Sequence, residues 1–207
     1  MFTGLVDAIG VIHRVDTTDA GREFEIACDY TDLVAGESIA CNGACLTVRE
    51  ASAGRFVVAA VVTTVARTTI GTWDAGRRLN LERAMPAHGR FGGHLVLGHV
   101  DGVGSVRHVD TQADARVIDL EVPDEVAALL VPHGSIAVDG VSLTVNALPA
   151  PGILQVSIIE HTLRHTTLGE LGVGDQVHLE ADIIGKYVRR LLEHGAITPS
   201  PSGPAFD

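Results

Sequence analysis

At 207 residues the chain is long enough for one large β domain or two small ones, since domains commonly run to about 100–150 residues. Hydrophobic residues make up 46% and charged residues 20%; no apolar run approaches the roughly 18 residues of a membrane-spanning helix, and the opening MFTGLVDAIG lacks the basic and apolar regions of a secretory signal. Fifteen basic residues against 26 acidic ones leave a charge of −11, which repels phosphate backbones, so the expected setting is cytoplasmic, without nucleic-acid or membrane partners.

Taken in chain order, the elements are written twice. Val6-Asp7-Ala8-Ile9-Gly10 returns as Val100-Asp101-Gly102-Val103-Gly104, 94 residues on. The stretch from Ser38 to Val48, with Asn42-Gly43 at its middle, returns 97 residues on as Ser135 to Val145, with Asp139-Gly140 at its middle. Asn-Gly and Asp-Gly between apolar runs predict tight hairpins, because a type I′ turn needs positive φ at both central residues. A third block, Thr68-Thr69-Ile70-Gly71 through Leu81-Glu82, returns 98 residues on as Thr166-Thr167-Leu168-Gly169 through Leu179-Glu180. Offsets that drift by a few residues in the same order are what loop insertions between duplicated modules produce.

Residues 55–62, 115–122 and 153–159 read as further strands, making about six per copy, and a sheet of that size is expected to close into a small Greek-key barrel. Short helices are expected over 124–130, opened by Pro123, and over 161–168. The clearest helix follows Asp182, where Ile183, Ile184, Tyr187, Val188, Leu191 and Leu192 form one apolar stripe that Gly195 is placed to stop. Both barrels already have their strands, so the stripe is free to pack against another subunit; packing back onto its own barrel is the alternative. The expected organisation is an all-β chain with barrels at 1–94 and 95–185, an assembly helix at 186–196 and a disordered Pro-Ser tail at 197–207.

Cys28, Cys41 and Cys45 are odd in number and read as free thiols. With His94 and His99 they lack the tight paired spacing of a structural zinc site, so no metal is assigned. His99 follows the glycine-rich Gly92-Gly93-His94 and Gly98, and a histidine side chain can donate or accept a proton, although a satisfied structural histidine is the plainer reading. Asp182 has an equally plain role as N-cap of the last helix. Cys45 and Thr47, like Ser142 and Thr144, are two residues apart on strands, so each pair shares a face. Facing inward, they either hydrogen-bond a small heterocycle or fill the barrel. No Ser-His-Asp motif, phosphate loop or dinucleotide fingerprint accompanies them, and the residues by themselves lead to a duplicated small-molecule-binding module.

Five segments in order carry a resemblance: Met-Phe-Thr-Gly-Leu-Val at 1–6, Asn-Gly-Ala-Cys-Leu-Thr-Val at 42–48, Gly-Gly-His-Leu-Val-Leu-Gly-His-Val-Asp-Gly at 92–102, Asp-Gly-Val-Ser-Leu-Thr-Val at 139–145 and Lys-Tyr-Val at 186–188. Together they resemble the riboflavin synthases over residues 1 to about 195. The resemblance implies a homotrimer of twin six-stranded barrels held by C-terminal helices, with each active site between the N-terminal barrel of one subunit and the C-terminal barrel of its neighbour. It implies a dismutation in which a four-carbon unit passes between two molecules of 6,7-dimethyl-8-ribityllumazine, giving riboflavin and 5-amino-6-ribitylaminouracil. No metal or separate cofactor is implied; lumazine synthase is a further partner that the resemblance raises.

By the same resemblance, the N-terminal pocket comprises Gly4, Leu5, Val6, Ser38, Cys45, Leu46, Thr47, the run Ala59, Ala60, Val61, Val62, Thr63 and Thr64, and then Gly98, His99 and Val100. The C-terminal pocket comprises His133, Ser142, Leu143, Thr144, Ile158, Ile159, Glu160, His161, Thr162, Leu163 and Asp182. His99 and Cys45 are expected to assist proton transfer or activation at one lumazine, with Ser142, Thr144 and Asp182 polarising the other and Ser38 completing the catalytic set. Thr63, Leu97, His133 and Glu160-His161 depart from the family's usual residues. Two rivals remain. One is a non-catalytic lumazine- or flavin-binding relative acting as carrier or optical antenna, in which the Gly-His or second Ser-Leu-Thr motif should be damaged. The other is a structural trimerisation module, which should fill the pocket positions with apolar groups.

Overall fold

The computed structural model describes residues 1–112 and 115–195. In copy one the strands are β1 (Ala8–Thr18), β2 (Gly21–Ala27), β3 (Ser38–Cys41), β4 (Ala44–Ser52), β5 (Arg55–Val61) and β6 (Arg78–Arg83). Copy two repeats them as β7 (Gly102–Thr111), β8 (Ala115–Glu121), β9 (Ser135–Val138), β10 (Val141–Ala150), β11 (Ile153–Ile159) and β12 (Gln176–Ala181). Each set closes, wholly antiparallel, in the order β1-β2-β5-β4-β3-β6 or its equivalent, so the duplicated twin-barrel reading holds. Bulges between Ile12 and Arg14, Val48 and Glu50, and Val106 and His108 add the local bend that lets six strands curl into a ring.

Alternation fixes the faces. Phe24 and Ile26, Phe56, Val58 and Ala60, and Leu46 and Val48 point into the first core, while their neighbours face out. Both predicted turns form, with φ of 43° and 78° at Asn42-Gly43 and 44° and 79° at Asp139-Gly140. The two turns also meet: a Cβ on either Gly43 or Gly140 would stand 2.7 Å from the other's backbone nitrogen, so only glycine permits the approach.

Around that contact the barrels exchange hydrogen bonds in a pseudo-symmetric pattern. The Asn80 side chain donates to the Asp139 carbonyl at 2.9 Å and accepts from the Thr167 N–H at 2.7 Å. At the equivalent place in copy two, His178 shares a hydrogen with the Asn42 carbonyl through Nδ1 and accepts from the Thr69 N–H through Nε2, both at 2.9 Å. A carbonyl can only accept, so His178 is the neutral Nδ1–H tautomer, doing with an imidazole what Asn80 does with an amide. Trp73, fully buried, stacks on it with centroids 5.8 Å apart.

The helices are α1 (Val62–Arg67), α2 (Asp124–Ala127), α3 (Glu160–His165) and α4 (Ile183–Glu193). α1 is unannounced by its β-branched residues and cuts the predicted 55–62 strand at Val61; α2 stops short of residue 130. The 161–168 helix is divided into α3 and a 3-10 turn at Thr167–Glu170. α4 begins before residue 186 because Asp182 Oδ1 accepts the Ile184 N–H at 2.9 Å. Its polar side is tied down by Lys186 Nζ to Asp101 Oδ2 at 2.6 Å and by Gly185 against Leu129, so the apolar stripe does not pack into its own barrel. The tail at 197–207 lies outside the described residues. No helix among them is long and apolar enough to cross a membrane.

Candidate active site

The segments that precede the two barrels change places. Gly4 lies ahead of the first barrel, yet its carbonyl accepts the Ser142 N–H of the second at 2.7 Å, and Val6 packs on the second core. Gly98 lies ahead of the second barrel, yet its carbonyl accepts the Cys45 N–H of the first at 2.8 Å, and Val100 packs on the first core. Where they cross, Phe2 and Val96 exchange backbone hydrogen bonds of 2.7 and 3.1 Å. Both side chains are fully buried between the barrels with Ala40 and Ala137, at about 1.5–3 kcal/mol for each large apolar group. Gly4, Leu5 and Val6 therefore stand with Ser142 rather than in the Cys45 pocket, a correction to the reading above. The burial of Phe2 and Val96 draws each segment across.

Both crossing glycines have left-handed backbone, φ 76° at Gly4 and 79° at Gly98. A Cβ there would lie 2.6 Å from the Ser142 Cβ and 2.5 Å from the Cys45 Cβ. The absent side chain is what lets each segment lie against the strand that carries the reactive group.

On the first barrel, Ala44, Cys45, Thr63, Thr64, Arg67, Thr68, Gly98, His99 and Val100 line an open cavity of about 240 Å³. Ser38 and Thr47 are cross-strand partners on the same outer face as Cys45. The polar pairs thus face outward, not into the barrel, because Leu46 and Val48 on the alternate positions fill the core. Ala60 is likewise in the core, and Ala59, Val61 and Val62 lie outside the cavity's lining. No residue of the Ser142 face reaches this cavity.

On the second barrel, Ser142 Oγ lies 2.7 Å from His94 Nδ1. His94 is 6% exposed, burial pushes its pKa below the usual imidazole value, and the Asp182 carboxylate pulls weakly the other way. A neutral ring accepting the Ser142 hydroxyl hydrogen would raise that oxygen's basicity. His94 Nε2 has no hydrogen-bond partner among the described residues. Thr144 is exposed opposite Ser135, Asp182 is half-buried at the start of α4, and Leu5 is half-exposed where the first pocket has His99. His161 and His165 stack on α3 with centroids 4.2 Å apart, beside the Glu160–Arg164 ion pair, and the Thr162 carbonyl accepts from Thr166. Ile158 is in the core, Leu143 and Leu163 lean on it, and Ile159 and His133 are exposed.

Sequence reading passed over His94 as a site residue, and over Glu82 and Glu180. The two glutamates close the third repeated block inside apolar strands, where an unexplained carboxylate is itself a signal. Cys41 is wholly buried and its thiol is pushed up by desolvation, which leaves Cys45, half-buried at the cavity, as the accessible thiol of that hairpin. Among the described residues no three His, Cys, Asp or Glu side chains gather as metal ligands.

Each of the twin barrels is met on its outer face by a glycine segment, and the family model described as "Lumazine binding domain" matches the chain twice, over residues 3–84 and 97–182, which makes it a tandem lumazine-binding protein. The chain belongs to the riboflavin synthase family. It is 41% identical to the riboflavin synthase of Photobacterium phosphoreum, with 93% of this chain and 89% of that protein aligned. It is 39% identical to that of Bacillus subtilis (strain 168), over 93% and 90% of the two chains. Among solved structures, the fold matches LumP complexed with 6,7-dimethyl-8-(1'-D-ribityl) lumazine at a TM-score of 0.78 and LumP complexed with riboflavin at 0.79. Each is 22% identical, and the match covers 87% of this chain and 99% of that one.

Proposed function

We propose that the chain is a transferase that dismutates two 6,7-dimethyl-8-ribityllumazine molecules into riboflavin and 5-amino-6-ribitylaminouracil by four-carbon transfer. The observation that carries the reading is a pair of outer barrel faces with one backbone frame and two chemistries. Glycine carbonyls bond Cys45 in one and Ser142 in the other, whereas the side chains around them are His99, Cys45 and Arg67 on one side and Leu5, Ser142, His94 and Asp182 on the other. Identical substrates need a common frame, and a reaction that makes one of them nucleophile and the other electrophile needs the frame's symmetry broken.

In this reading one lumazine gives up a proton from its C7 methyl group and attacks C7 of the other. His99 and Cys45 serve one partner; Ser142, poised by His94, serves the other with Thr144 and Asp182. Holding two rings face to face replaces a bimolecular encounter and contributes several kcal/mol. The carrier or antenna reading gains support only from the likeness to LumP, which is one of fold.

Because the Cys45 cavity contains no residue of the Ser142 face, we assign the complete site to two subunits, the pockets of neighbouring chains facing one another in a homotrimer. The surface for that assembly is an apolar groove of about 390 Å³ lined by Met1, Leu95, Leu97 and the α4 residues Ile183, Ile184, Tyr187, Val188 and Leu191. Ile184 and Tyr187 are 65% and 67% exposed in the single chain, more than an unpartnered stripe of this size would leave to water. Leu191→Glu is expected to shift the mass in sedimentation from three chains to one with both barrels still folded; an unchanged mass would remove α4 from the interface.

Complementation tests the shared site. His99→Gln and Ser142→Ala variants, each slow alone, are refolded together. Mixed trimers contain junctions with an intact His99 pocket from one chain and an intact Ser142 pocket from the other, so part of the activity should return. No recovery in demonstrably mixed trimers would place both half-sites within one chain.

A further inference from the structure

The two buried glutamates stand one residue from the end of equivalent strands, Glu82 on β6 and Glu180 on β12, and neither side chain lines the Cys45 cavity. Glu180 is 3% exposed; its Oε1 accepts the Leu97 N–H at 2.7 Å, and its Oε2 accepts the N–H groups of Gly98 and His99 at 2.9 Å each. Glu82, 6% exposed, accepts the Thr3 N–H at 2.6 Å, the Thr3 hydroxyl at 2.7 Å and the Gly4 N–H at 2.9 Å. Each carboxylate gathers the N–H groups of a crossing segment whose glycine carbonyl then bonds the other barrel.

We propose that Glu180 and Glu82 are positioning residues that act crosswise, each setting the pocket of the barrel it does not belong to. Glu180 of the second barrel holds 97–99, which places His99 beside Cys45 of the first. Glu82 of the first barrel holds 3–4, which places Gly4 against Ser142 of the second, and through the bond from the His94 N–H to the Thr3 carbonyl at 3.1 Å it also sets His94. A carboxylate suits the task because both oxygens accept. Glutamine keeps one acceptor and turns an NH2 group toward backbone N–H donors, which pushes the segment away. Asp101, at the end of the same segment, accepts the Ala181 N–H at 2.9 Å and pairs with Lys186 on α4, so the Glu180 strap is continuous with the assembly helix.

The inference deepens the proposed reaction and rests on it for its catalytic consequence, but its structural core is tested without substrate. The imidazole C–H resonances of the ligand-free chain are recorded by NMR, with His99→Gln and His94→Gln supplying assignments. Glu180→Gln should move the His99 signals and leave those of His94 in place, and Glu82→Gln should do the reverse. Signals that move only on the glutamate's own barrel, or that move equally in both variants, would overturn the crosswise assignment. Where the glutamine variant does not fold, Glu180→Asp keeps the charge, draws the acceptor back by one methylene, and is held to the same pattern. With the pattern in hand, Glu180→Gln should lower kcat roughly 10- to 100-fold with little change in KM, as misplaced catalytic groups do. Unchanged turnover together with a displaced His99 would strip the strap of its catalytic role while leaving the proposed reaction standing.

Discussion

His99→Gln is expected to slow riboflavin formation about 100- to 10,000-fold, the range for losing a group that moves a proton in the rate-limiting step. The fold should survive, because the ring is exposed at the mouth of the Cys45 cavity and its segment is held by backbone groups on Glu180, none of which the substitution removes. Ser142→Ala should slow the reaction as well, and it leaves a second trace. Among the described residues, His94 Nδ1 loses its one side-chain partner while Nε2 already has none, so a buried ring becomes unsatisfied and stability falls by about 1–3 kcal/mol. Steady-state kinetics with thermal melts separates the two: His99→Gln loses rate alone, Ser142→Ala loses rate and some stability. Wild-type rates in both would remove these residues from the chemistry.

The second large effect lies at the junction between barrels and appears as a pH dependence. Burial lowers the His178 pKa to about 4 from 6.5, so between those values the unfolded chain binds a proton that the native chain refuses. Its contribution to stability is therefore complete above about pH 6.5 and falls by roughly 3 kcal/mol as the pH drops to about 4. Asp139 runs oppositely. Burial raises its carboxyl to about 7 from 3.8, so the native chain holds a proton that the unfolded chain has lost, and stability falls by roughly 4 kcal/mol as the pH rises through that interval. The repeat supplies conservative replacements, since Asn80 and Asn42 occupy the equivalent places. Relative to His178→Asn, the parent chain should lose its advantage as the pH falls from 6.5 to 4. Asp139→Asn should gain on the parent as the pH rises from 4 to 7. Urea denaturation at pH 4.5, 6 and 7.5 checks both; parallel curves for parent and variants would mean that neither group titrates within the fold.

What could be read in advance follows from which physics is local. The barrels were legible because hairpin turns, strand alternation and the repeat offsets all act over a few residues, and a stripe such as Ile184, Tyr187 and Leu191 declares an amphipathic helix on its own. α1 was hidden, since Val62, Thr63 and Val65 are β-branched and only the packing at the barrel's end makes them helical. The parity of Cys45 and Thr47 against Leu46 and Val48 was present in the sequence, but period two gives two faces without saying which is the inside. Half of the exchange was in the resemblance, which puts Gly98, His99 and Val100 with Cys45; the other half, residues 1–6 against the second barrel, was out of reach, because self-similarity shows that Gly4 and Gly98 are equivalent, not which barrel each one touches. Once they cross, Glu82, Glu180 and His94 become intelligible, and Gly4, Leu5 and Val6 move to the Ser142 side, so that both faces borrow a segment.

The measurement that bears most directly on the account is incubation of the purified full chain with 6,7-dimethyl-8-ribityllumazine as sole substrate, following absorbance and separating the products. One riboflavin and one 5-amino-6-ribitylaminouracil are expected for every two lumazines consumed, with no added metal or cofactor. Tight binding of lumazine without any riboflavin formed would contradict the proposed dismutation and leave the twin pockets as a carrier's.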